Sequence, residues 1–139
     1  MAATNHQKHE AGRHLVVAHA LLRGHAAKLD GPQRYVQING HRAVVMLAGM
    51  GAWQIADVED FTSSLQPLYV LVNVTDGAPA FYVVPGEELR RGVSARHDAF
   101  LARVGGERPR NPTSKHTVIE PAHVREWQDH WSLFDGEAA

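Results

Sequence analysis

Tyr35-Val36-Gln37-Ile38-Asn39-Gly40-His41-Arg42-Ala43-Val44-Val45-Met46-Leu47-Ala48 is the stretch whose reading decides the fold. Two β-prone runs flank an Asn-Gly pair. That pair is the strongest short signal for a two-residue hairpin loop, because both central residues of the favoured turn need positive φ. A loop of this length sets Ile38 opposite His41, Val36 opposite Ala43 and Tyr35 opposite Val44. Side chains alternate across a strand, so one face carries Val36, Ile38, His41, Ala43, Val45 and Leu47. The other carries Tyr35, Gln37, Arg42, Val44, Met46 and Ala48.

Upstream, Leu15, Ala18 and Leu22 with Val17 and Leu21 recur at helical spacing and predict an amphipathic helix from Glu10 to Arg23, closed by Gly24. Residues 1–8 read as a polar lead that frays. His25 to Leu29 reads as a weak strand ending in an Asp30-Gly31-Pro32 turn. Downstream, Gly49 and Gly51 interrupt the strand pattern, Trp53 is expected to anchor a loop, and residues 57–66 form a polar segment closed by Pro67. Leu68-Tyr69-Val70-Leu71-Val72-Asn73-Val74 is almost continuously apolar at strand length, as a central strand covered on both faces would be. Asp76-Gly77 then turns the chain into Ala80-Phe81-Tyr82-Val83-Val84, ended by Pro85-Gly86.

A short helix is expected from Glu87, and another from an N-cap at Ser94 through Arg103. Residues 105–116 read as a loop. Pro121 suits the first position of a last helix that turns Val124, Trp127 and Trp131 inward, and the tail from Asp135 is expected to fray. This order gives an α/β protein with a mixed central β-sheet flanked by helices, in one domain spanning residues 1–139.

Composition narrows the function. The chain has 139 residues and no cysteine, which excludes disulfides and thiolate metal sites. A net charge of −1 argues against a surface that tracks nucleic acid throughout. The charge is uneven, however: residues 1–56 hold six Lys or Arg against two acids, together with six of the ten histidines. No apolar run approaches the ~18 residues of a membrane span, and the first ten residues contain no apolar leader core, so a soluble, cytoplasmic protein without a membrane partner is expected. There is no His-Glu-x-x-His pair, no glycine-rich phosphate loop and no dinucleotide fingerprint, so neither a metal nor a cofactor is expected.

Taken together, several words of the chain resemble the PD-(D/E)XK nuclease superfamily, the restriction-endonuclease-like fold. They are the helix Gly12 to Gly24, the hairpin with Trp53-Gln54, the Phe81-Tyr82-Val83-Val84-Pro85 word and the late Trp127 to Trp131-Ser132-Leu133-Phe134 pattern. In that family an Asp opens one strand, the next carries Glu or Gln, a spacer and Lys, and a Glu on the first helix often completes the site. The resemblance implies that two carboxylates and a backbone carbonyl hold Mg²⁺ while the Lys orients the attacking water. Position by position, the aspartate place is Tyr35, the Glu/Gln place Met46, the Lys place Ala48 and the helix-acid place Arg13. All four depart from the pattern. The resemblance therefore implies a catalytically silent nuclease fold that serves as a binding protein, with a protein-interaction or oligomeric scaffold preferred and a homodimer compatible with the fold. The alternatives are a nucleic-acid binder using Arg34, Arg42, Arg108 and Arg110, or a metal-dependent nuclease whose site has migrated to Asp30, Asp57, Glu59 and Asp60 with Lys28.

Overall fold

The structure, a computed structural model, describes residues 2–103 and 116–136. Its centre is a five-stranded sheet in the order β1-β2-β3-β5-β6, built from β1 (Ala27–Asp30), β2 (Tyr35–Ile38), β3 (His41–Ala48), β5 (Leu68–Asn73) and β6 (Ala80–Pro85). The β3–β5 pair is parallel and the others are antiparallel, which makes the sheet mixed. A second, two-stranded sheet pairs β4 (Trp53–Ile55) with β7 (Thr117–Ile119).

The hairpin has the expected register, with Ile38 opposite His41 and Tyr35 opposite Val44. Asn39 and Gly40 both take positive φ, 51° and 82°. Asn39 also fixes the turn in place: its side chain accepts from the Ala26 amide at 2.9 Å and donates to the Phe134 carbonyl at 3.0 Å. Each face of the hairpin closes a different core. Val36, Ile38, Ala43 and Val45 pack with Val16, Ala20, Phe81, Trp131 and Phe134 under α1 (Asn5–Leu22). Val44 and Ala48 pack with Trp53, Tyr69, Leu71, Tyr82 and Leu89 on the side of α2 (Val58–Ser63) and α3 (Gly86–Arg103). The central strand β5 contributes to both, with Val70 and Val72 on one side and Tyr69 and Leu71 on the other. Phe81 and Val83 likewise face one core while Tyr82 and Val84 face the other.

Several expectations are corrected. The first helix starts at Asn5, not near Glu10, and residues 4–8 belong to its capped end. Thr4 accepts from the Gln7 amide, and the Gln7 side chain accepts from the Thr4 amide. This reciprocal capping box satisfies two otherwise orphaned donors. The helix read as starting at Ser94 is continuous from Gly86, whose amide donates to the Pro67 carbonyl at 2.8 Å. The last α-helix is replaced by two 3₁₀ helices, Pro121–Trp127 and Trp131–Phe134. Asp129 at φ 54° divides them, so Trp131 reaches the core from its own segment. In the tail, His41 Nε2 lies 3.2 Å from the Gly136 carbonyl oxygen, which ties that residue to the hairpin. Among the described residues no helix is long and apolar enough to cross a membrane.

Candidate functional site

The capping box places Asn5, Lys8 and His9 on one face of the first turns of α1, at helical spacing i, i+3 and i+4. Gly12 then lets the helix approach β3 closely, since a Cβ there would meet Leu47 at 3.3 Å. On the other side, Trp53 fixes β4 against the sheet: its indole Nε1 donates to the carbonyls of Met46 and Val72, both at 3.2 Å. Between these supports lies a cleft of about 820 Å³ around the end of β3. Lys8 and His9 line it from the helix, and Gln33 and Arg34 from the turn between β1 and β2. Met46 and Ala48 of β3 form part of its wall, with Gln54 of β4 beyond them. Among the described residues no carboxylate lines it.

The four matched positions fall into two groups. Tyr35, Met46 and Ala48 share the face predicted from the hairpin; Ala48 is buried, and Tyr35 and Met46 pack against the same core. Arg13 is only 2% exposed. Its Nη2 donates to the carbonyls of Tyr35 at 3.0 Å and Gly31 at 2.5 Å, and its Nη1 to the Glu10 carboxylate at 2.8 Å. A guanidinium is therefore hydrogen-bonded to the backbone at Tyr35. The Arg13 hydrogen bond is the main reason that the Glu10 carboxyl is held below the usual carboxylate range.

Of the basic residues, Arg34 lies in the cleft. Arg42 is turned elsewhere, with its guanidinium 3.7 Å above the Tyr35 ring and its Nε 3.3 Å from Asp30. Arg108 and Arg110 lie outside the described residues. Of the acids proposed for a migrated site, Asp57, Glu59 and Asp60 gather at the start of α2, and Asp30 is not brought to them. Asp30 ends β1 beside Arg42, whereas Asp57 caps α2 by accepting from the Asp60 amide at 3.1 Å. Asp57 and Asp60 line a smaller hollow of about 270 Å³, with Tyr69, whose phenol burial pushes up above its ordinary pKa. Arg34, Met46 and Gln54 belong to both spaces. Among the described residues no group of three or more His, Asp or Glu is placed to hold a metal ion.

Lys8, His9, Gln33, Gln54 and Met50 are among the lining residues that sequence reasoning missed. The first two carried a usable signal, because Thr4-Asn5-His6-Gln7 matches a capping box and would have drawn Lys8 and His9 into the helix.

The chain matches no family model, and no curated protein matches it. Among solved structures, a bacterial homing endonuclease superposes with a TM-score of 0.51 at 13% sequence identity, covering 95% of this chain and 91% of that one. The chain thus has a nuclease-like mixed α/β fold.

Proposed function

We propose that this chain is a catalytically silent member of the PD-(D/E)XK superfamily that binds nucleic acid, holding phosphates in the cleft around β3 without cutting them. The observation that carries this reading is the lining of that cleft, which among the described residues offers Lys8, His9 and Arg34 and no carboxylate, Asp57 and Asp60 lining the adjoining hollow. Cationic groups converging in a concave surface attract a phosphate backbone, and amide side chains such as Gln33 and Gln54 can read base edges. Mg²⁺ chemistry asks for hard oxygen ligands, and the matched positions present a phenol, a thioether, a methyl group and a guanidinium instead.

An apolar face of Tyr35, Val44, Met46 and Ala48 makes either a closed core or a sticky surface for a protein partner. Val44 and Ala48 are closed into the core, which leaves the basic cleft as the better-supported contact surface.

The test is fluorescence anisotropy of an end-labelled DNA duplex across a salt series. Affinity should fall with salt, and the Lys8→Ala/Arg34→Ala protein should bind more weakly with a log–log slope shallower by about 2, one unit per lost phosphate contact. No binding at low salt, or a slope unchanged by the double substitution, would remove the reading.

A further inference from the structure

Three large apolar side chains are exposed among the described residues: Leu21, Leu22 and Met50. The leucines sit at the far end of α1, but Met50 lines the basic cleft together with Lys8 and Arg34, and at 93% exposure it is almost wholly in solvent. Its surroundings are those of a presented side chain. The flanking glycines stand clear of the body, since a Cβ added to Gly49 or Gly51 would meet nothing within 4 Å. The base of the loop is nevertheless held. The Gly51 amide donates to Thr75 Oγ1 at 2.8 Å, and that hydroxyl donates to Asn73 Oδ1 at 2.6 Å. On the other side, the Val74 amide donates to the Ala48 carbonyl at 2.9 Å. A bare tip on an anchored base thus carries an unbranched apolar side chain at the mouth of a cationic cleft.

We infer that Met50 is a wedge that enters the base stack of a DNA duplex whose backbone is held by Lys8 and Arg34. The inference rests on the nucleic-acid reading above and makes it specific. Apolar side chains, Met among them, unstack base steps where proteins bend duplexes, and the easiest steps to open are pyrimidine–purine ones. A single strand is the poorer candidate, because stacking platforms for single-stranded bases need accessible aromatic rings. Among the described residues, the aromatic side chain lining this cleft is Trp53, which is buried with its indole N–H engaged.

The experiment uses the full chain and a duplex carrying 2-aminopurine at a central TA step, with anisotropy of an end label recorded on the same samples. For the wild-type protein, 2-aminopurine fluorescence should rise several-fold and saturate along the anisotropy curve. Met50→Leu should keep the rise. Met50→Ala should lose it while retaining the salt slope, which the cationic contacts set. Binding seen by anisotropy without a fluorescence rise, or a rise undiminished in Met50→Ala, would overturn the wedge and leave the binding reading standing. No anisotropy change at low salt would overturn both. The side chain's exposure means that its truncation disturbs no packing, so a lost signal is not a folding defect.

Discussion

Replacing Arg13 should expose how far the fold depends on a buried cation. Arg13→Met preserves length and apolar stem but removes the donors to the Tyr35 and Gly31 carbonyls. Hydrogen bonds to a charged group contribute roughly 1.5–3 kcal/mol each. Gly31 lies in an exposed turn, so its share belongs at the low end. Together the two losses come to about 3 kcal/mol, less a fraction recovered by packing of the thioether. For a chain of this size that corresponds to a melting temperature lower by roughly 10 °C. Chemical denaturation with urea gives the same quantity through the shift in midpoint at constant slope. Arg13→Glu should be worse, since it turns a carboxylate towards two carbonyl oxygens, and Mg²⁺ should not restore it. An Arg13→Met protein within about 0.5 kcal/mol of the parent, or Mg²⁺-dependent stabilisation of Arg13→Glu, would refute the reasoning. The second result would also mean that position 13 borders a usable cation site.

Three further outcomes are expected. Gly86→Ala should fail to fold or lose most of its cooperativity in denaturation, because the added Cβ would collide with the Gln66 carbonyl oxygen; a parent-like melt would show that the Pro67–Gly86 junction yields. Phe81→Ala should cost on the order of 3–5 kcal/mol, since the ring is buried between His19 and Trp131 at centroid distances of 4.5 and 5.5 Å, and an unchanged urea midpoint would contradict that packing. Burial, and then the Arg96 charge, hold the His123 pKa below the ordinary histidine value. The unfolded chain therefore takes up a proton that the folded one resists, so stability should fall as pH drops below about 6.5. His123→Gln should flatten that dependence in urea midpoints measured across pH, and an unaltered profile would count against it.

What was legible in the sequence was local. Asn39-Gly40 carries its own turn chemistry, so the hairpin register and the division of its side chains between two cores followed from four residues and a period of two. The uninterrupted run from Leu68 to Val72 likewise announced a strand buried on both faces. What escaped depends on distant partners. β4 and β7 are three residues each and exist because Trp53 meets Ile119 across 66 positions of chain, for which no periodicity gives warning. Val124, Trp127 and Trp131 fit one helical face on paper, but Asp129 at positive φ separates Trp131 from the other two. Ser94 has the chemistry of an N-cap and lies inside α3, where the helix already has its start at the Pro67–Gly86 contact.

The candidate site divides in the same way. The shared face of Tyr35, Met46 and Ala48 was readable from the hairpin alone. The cleft beside it was not, since it needs α1 to extend back to Asn5 and β4 to be held by an indole bonded to two separate strands. Arg34 lines the cleft, whereas Arg42, equally basic, is occupied by Tyr35 and Asp30.

The central claim, binding without cleavage, is tested most directly by one supercoiled plasmid sample incubated with the protein and Mg²⁺ at low salt. Half is run on a native gel and half is stripped of protein before its topology is read. The account predicts a retarded complex in the first half and fully supercoiled plasmid in the second. Nicked or linear plasmid, above all if it persists in Tyr35→Ala and disappears in Asp57→Ala, would contradict it and place a working metal site on the α2 side of the sheet.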